Sequence, residues 1–105
     1  MIAQAEQIDT LGLIQRFAAK CERNGECWEW TGCCNNKGYP KIHVAGRVLY
    51  AHRVSHELFI GTIDEGCHVH HKCLNLICVN PGHLQAVTAE TNRWAQAMGI
   101  GELPI

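Results

Sequence analysis

Apolar residues recur at helical spacing at the start of the chain. Ile8, Leu11, Ile14, Phe17 and Cys21 fall on one face of a helix, and Asp9 or Thr10 can cap it. The stripe predicts a scaffold helix within residues 1–22. The period then changes: Cys27-Trp28-Glu29-Trp30 alternates as a strand does, and residues 31–38, with Asn35-Asn36 and Gly38, read as turn. Residues 39–44 and 47–50 predict two strands joined tightly through Ala45-Gly46. Residues 51–59 place Val54 and Leu58 four apart before Gly61, which predicts a short helix. Two further short strands, 68–71 and 84–87, flank a cysteine-containing loop. Thr88 can cap a last helix that runs to about Met98, with Gly99 as its stop. Residues 101–105 are expected to form a loose tail.

This order predicts an α+β fold of antiparallel hairpins ending in strand, loop, strand and helix. The 105 residues allow one small domain, with its core expected over residues 27–98. A chain this short often needs a staple beyond its apolar core.

The loop supplies a candidate staple. It reads His70-His71-x-Cys73-x4-Cys78-x-Asn80-Pro81-x-His83-Leu84. Cys73, Cys78 and His83 offer the sulfur and nitrogen ligands that zinc prefers, in a loop short enough to converge on a tetrahedron. Three ligands leave a structural site incomplete, so a fourth must come from elsewhere. Cys67, near in sequence, is one candidate for it. The pair His70-His71 is not needed for the cage, which leaves an imidazole spare for chemistry. Zinc in such a site would add its binding energy to folding, about 10–16 kcal/mol in small zinc modules.

Seven cysteines cannot all pair within one chain. Residues 1–7 lack the apolar core of a signal peptide, and no stretch approaches a membrane span. The expectation is a reduced, intracellular (cytoplasmic) protein with no membrane partner. A net charge of −1 argues weakly against a nucleic-acid binder, because neutralising phosphates takes Lys and Arg. The distribution partly offsets the total. No acidic residue lies between Glu29 and Glu57, where Lys37, Lys41, Arg47 and Arg53 fall together with His43, His52 and His56. A lopsided charge map of this kind suits one binding face.

From Cys27 to Asn92 the residues resemble those of the HNH, or ββα-metal, nucleases. Within these the chain is most similar to the zinc-containing His-Cys box branch seen in homing endonucleases. The resemblance rests on Cys27-Trp28-x-Trp30-Thr31-Gly32, Gly38-Tyr39, Ala51-His52-Arg53, the 70–84 core, and Val87-Thr88 with Asn92. Phage-type HNH proteins show these signatures in this order, so a phage or mobile-element origin is expected. The resemblance implies that His71, two residues before Cys73, is the general base. It implies that Asn92, twenty-one residues further on, holds the catalytic divalent ion, Mg2+ or Mn2+. It implies a structural zinc on Cys73, Cys78 and His83, closed by Cys27. His70 stands where relatives often carry Asp, which makes it a candidate second ligand of the catalytic ion. Lys41, after Gly38-Tyr39, stands where relatives carry a basic residue toward the phosphate backbone; Arg47 and Arg53 are further candidates for DNA contact.

Elementary chemistry agrees with these roles. Phosphodiester hydrolysis needs a base for water and positive charge beside the scissile phosphate. Neutral histidine can take that proton at cellular pH. The implied function is a metal-dependent DNA endonuclease or nickase, with a homodimer as one route to a double-strand cut. The competing expectation is a zinc-knuckle module that binds nucleic acid without cutting it.

Overall fold

The computed structural model describes residues 10–101. Helix α1 spans Thr10–Ala19 and buries Leu13 and Phe17, one turn apart, against the core. The expected stripe differs in phase, since Leu11 is 65% exposed; Ile8 and Asp9 lie outside the described residues. Cys21 does not continue the helix. It opens strand β1 (Cys21–Asn24), which pairs antiparallel with β2 (Cys27–Trp30) in the register Cys21↔Trp30 to Asn24↔Cys27. This first hairpin was not expected. Its signal is Asn24-Gly25, with Gly25 at φ +65° in the first loop position, where a glycine is favoured.

Strands β3 (Lys41–Val44) and β4 (Arg47–Tyr50) form the expected hairpin. Its two loop residues both have positive φ, Ala45 at +51° and Gly46 at +81°, as a type I′ turn requires. Ile42 and Val44 face inward while His43 is exposed, the alternation of a half-buried strand. Helix α2 (Ala51–Phe59) follows directly and buries His52, Val54, Ser55 and His56. It is tied to the loop beyond β5 by Ser55 Oγ donating to the Val79 carbonyl at 2.6 Å.

Strand β5 (Cys67–His71) pairs antiparallel with β6 (Leu84–Thr88), from Cys67↔Thr88 to His71↔Leu84. Between them lies the cysteine loop, closed by a single 3-10 turn at Pro81–His83. Asn80 shapes that turn. Its side-chain oxygen accepts from the Gly82 amide at 2.9 Å, and its amide donates to the Glu26 carbonyl at 2.6 Å. Helix α3 (Ala89–Met98) is capped as expected: Thr88 Oγ1 accepts from the Thr91 amide, and Gly99 closes the helix at φ +68°.

The main core unites α1, β2, the second hairpin and α2 through Leu13, Phe17, Trp30, Ile42, Val44, Ala51, Val54 and Val79. Trp30 sits in that core with its indole N–H on the Cys33 carbonyl. A smaller cluster of Ile63, Val69 and Leu84 underlies the β5–β6 ribbon. Gly101 does not begin a loose tail. A Cβ there would strike the Lys72 carbonyl, and the Gly101 carbonyl accepts a hydrogen bond from His70; residues 102–105 lie outside the described part. Among the described residues no helix is long and apolar enough to cross a membrane.

Candidate metal centre and cleft

The loop after β5 zips onto the free edge of β2. Trp30 N–H donates to the Ile77 carbonyl at 2.9 Å, and Val79 N–H donates to the Trp28 carbonyl at 2.8 Å, around a Glu29↔Cys78 bridge. Asn75 adds a side-chain bond to the Glu29 carboxylate at 2.9 Å. This pairing carries Cys27, at the start of β2, up to the loop thiols. Cys27, Cys73, Cys78 and His83 therefore converge, with their ligand atoms all within 4.8 Å of one another. His83 Nδ1 stands 3.7 Å from the Cys27 sulfur and 3.5 Å from the Cys78 sulfur. Tetrahedral zinc with bonds of about 2.3 Å to sulfur and 2.0 Å to nitrogen needs edges of roughly this size. Cys67, the other candidate for the fourth position, is not in the cluster.

The four groups fit a metal by chemistry as well as by spacing. All seven cysteines are free thiols. Burial pushes the Cys73 thiol up, and it pushes the fully buried Cys78 thiol up to about 12. Such thiols stay protonated at neutral pH unless a cation displaces the proton. Four protein ligands leave no open position for water, so an ion here is a staple.

A second site lies on the other side of β5. A cleft of about 460 Å³ is bounded by Tyr39 and Tyr50 of the second hairpin, His52 and Arg53 of α2, His71 of β5 and Asn92 of α3. His71 and Asn92, the expected base and ion ligand, thus face one space. His71 is 7% exposed and Asn92 is 8% exposed. Neither His71 Nε2 nor Asn92 Oδ1 has a hydrogen-bond partner among the described residues. A buried polar atom without a partner is rare, and two in one cleft mark it as built for something that binds.

The electrostatics keep His71 neutral at neutral pH. Its pKa is lowered to about 4, by burial first and then by the neighbouring His70, against a hydrogen bond to the Cys78 backbone that works the other way. With Nε2 free, that bond uses the other ring nitrogen. It fixes the tautomer and leaves a lone pair on Nε2. The bond also ties the His71 ring to the backbone of Cys78, whose thiol belongs to the metal cluster.

His70 does not join this site. Successive side chains of a strand point to opposite faces, so His70 and His71 cannot both line the cleft. His70 is 3% exposed, and its Nε2 bonds the Gly101 carbonyl at 2.8 Å. The structure thus places His70, expected as second ligand of the catalytic ion, outside the cleft, where it clamps the segment after α3 to β5.

The structure brings in a residue whose chemistry the sequence did not reveal. His52 is 5% exposed, lines the same cleft, and its Nδ1 has no partner among the described residues. Its ring lies 4.7 Å from that of His71 and packs on Tyr39 and Tyr50. Burial lowers its pKa to about 3, with His71 and Arg53 adding to the effect. The signal was Ala51-His52-Arg53 on a helix whose buried face includes position 52.

The basic candidates spread around the cleft. Arg53 donates to the Cys67 carbonyl at 3.0 Å, which fixes its guanidinium at the rim. Arg53 also lines a neighbouring cavity of about 450 Å³ with Lys41, Tyr50 and Glu57. Arg47 is exposed at the start of β4, away from both.

Two proteins of Escherichia phage T7 are similar to this chain. Protein 2.8 is 41% identical over 68 residues, which cover 63% of this chain and 45% of that protein. Protein 7.7 is 39% identical over 67 residues, covering 64% of this chain and 52% of that protein. The chain thus spans about half the length of these curated relatives, whose names give no activity. No solved structure matches it. A family model described as HNH endonuclease matches residues 49–94, the stretch from β4 through most of α3 that supplies His52, His71, Cys73, Cys78, His83 and Asn92. Over these residues the chain is similar to the HNH endonucleases, which supports an HNH assignment for this part of it.

Proposed function

We propose that this protein is a metal-dependent DNA endonuclease that nicks by hydrolysing a phosphodiester bond, on a domain stapled by zinc. The observation that carries the reading is the pair of buried, unpartnered atoms, His71 Nε2 and Asn92 Oδ1, in one cleft beside the Cys27–Cys73–Cys78–His83 cluster. A non-catalytic zinc knuckle has no use for either atom.

His71 Nε2 takes a proton from water. Its buried, neutral ring keeps the lone pair available, and the bond to the Cys78 backbone holds the ring still. Asn92 would hold the divalent ion, Mg2+ or Mn2+; when bound, that ion supplies positive charge to the scissile phosphate and the leaving oxygen. Arg53 adds fixed positive charge at the rim. One neutral carbonyl oxygen is a weak ligand for a hard cation, so an ion held by Asn92 would need phosphate oxygens of DNA as further ligands. The second hairpin, with Lys41 and the exposed Arg47, lies along a groove, a two-stranded ribbon being the right width for the major groove. Within the family, the cysteine spacing supports the His-Cys box branch.

The test is incubation of the zinc-loaded protein with supercoiled plasmid and Mg2+ or Mn2+. Nicked circles that require the added ion are expected. Binding without nicking, under either ion, would favour the zinc-knuckle module, the reading that the net charge of −1 also suits.

A further inference from the structure

The cleft holds three buried atoms without a hydrogen-bond partner among the described residues, and the proposed roles use only two of them. The third is His52 Nδ1. A neutral imidazole whose other nitrogen carries the proton presents a lone pair there. His52 is more than nine-tenths buried and is fixed by rings on several sides, Tyr39 at 5.8 Å, Tyr50 at 5.6 Å and His71 at 4.7 Å between centroids. Core packing alone does not account for an unbonded nitrogen in a residue that lines a cleft, since an apolar ring would pack there without one. Meanwhile His70, the adjacent residue expected to assist Asn92, is occupied by Gly101.

We propose that His52 is a ligand of the divalent ion in this cleft, acting with Asn92, and that its nitrogen tilts the site from Mg2+ toward Mn2+, Co2+ or Ni2+. The inference rests on the ion site of the proposed function and names its second protein ligand. One cation between Asn92 Oδ1 and His52 Nδ1 satisfies both atoms together. His71 Nε2 then remains for water, so that ligand and base are adjacent rings with separate tasks. Magnesium favours oxygen and near-ideal octahedral geometry, whereas imidazole suits the later first-row ions, and manganese accepts both. The tyrosine wall gives the ligand ring few alternative orientations, as a preorganised site requires.

The test uses zinc-loaded protein with a nicked DNA duplex and added Mn2+. Free ion is followed by its electron paramagnetic resonance, and directly bound imidazole nitrogen by pulsed spin-echo modulation. Wild type should hold one Mn2+ beyond the zinc and show nitrogen modulation. His52→Phe, which keeps the ring and its packing, and His52→Ala should both lose the modulation and weaken Mn2+ binding by about tenfold or more. His71→Ala should retain the modulation, and Asn92→Ala should weaken binding. A carboxylate in His52→Asp should shift the preference for ions in nicking toward Mg2+. Modulation that survives in His52→Phe, or that vanishes only in His71→Ala, overturns the inference. Mn2+ binding that depends on Asn92 but carries no nitrogen signal overturns it too, while leaving the proposed ion site in place. Failure of wild type to bind a second ion would overturn both.

Discussion

His70 and His71 are adjacent in β5, yet their ring nitrogens have opposite fates: His70 Nε2 is bonded to the Gly101 carbonyl at 2.8 Å, while His71, which lines the cleft, has an Nε2 with no partner among the described residues. Strand alternation divides the pair into a clamp and the residue proposed as the base. The clamp orients α3, and α3 carries Asn92 to the base. Loss of the clamp should therefore misplace Asn92 without touching the cleft directly.

The metal cluster joins β2, the loop and the 3-10 turn, so an ion there holds together parts that share only a small core. Chelation of zinc should unfold the domain cooperatively, and Cys78→Ser should lose both zinc and the folded state. Thermal unfolding with and without chelator checks this. An unchanged melting temperature after complete zinc removal would exclude a structural role.

Ala45 adopts φ +51°, where a side chain with a simple Cβ is disfavoured by about 1–2 kcal/mol. Asparagine tolerates that region and with Gly46 makes the preferred type I′ pair. Ala45→Asn should raise the stability by up to about 1 kcal/mol, seen as a higher melting temperature with unaltered nicking. A lower melting temperature would mean that the turn is not the strained element described.

Lys41 opens β3 and lines the cavity beside Arg53. If it contacts a phosphate, Lys41→Ala should weaken binding of every DNA sequence alike. The log–log dependence on salt should flatten by about one unit of slope. A slope equal to that of wild type would make Lys41 an ordinary surface charge.

The depressed pKa of His71, about 4, sets the direction of pH dependence. Its neutral, proton-accepting form persists well below the ordinary histidine range and is lost only as pH falls toward the folded value. The same sign governs stability. Between about pH 6.5 and 4 the unfolded chain binds protons at His71 and His52 that the folded chain refuses, so folding weakens as pH falls through that window. Nicking by zinc-retaining protein should hold nearly constant from pH 7.5 to 5.5. An unshifted imidazole would be roughly nine-tenths protonated at the lower limit. A rate that halves near pH 6.5 would show that the base is not buried as described.

Much of this was legible in the residues, because the metal loop, the second hairpin and α3 are governed by local signals: ligand spacing, a tight two-residue turn, and Thr88 and Gly99 as caps. What depended on distant pairing was not. Cys27 as the fourth ligand came from the family resemblance and not from spacing, and the hydrogen bonds between β2 and the loop give its physical reason. The β1 strand was absorbed into a helical stripe because Cys21 happens to continue the period of Phe17, although Asn24-Gly25 marked a turn. His52 looked like one more histidine in a basic stretch until packing sealed it beside His71. His70 is next to His71 in sequence but lies outside the cleft, because strand alternation turns neighbouring side chains to opposite faces.

The most direct test of the central claim is the nicking rate of His71→Ala, measured on the same samples as zinc content and DNA affinity. Removal of a general base costs about 10² to 10⁴ in rate. The variant should keep one zinc per chain, a cooperative melt and wild-type affinity for DNA, while nicking falls by at least about a hundredfold. A variant that loses its zinc would place His71 in the metal cluster, and one that cuts like wild type would contradict its role as the base.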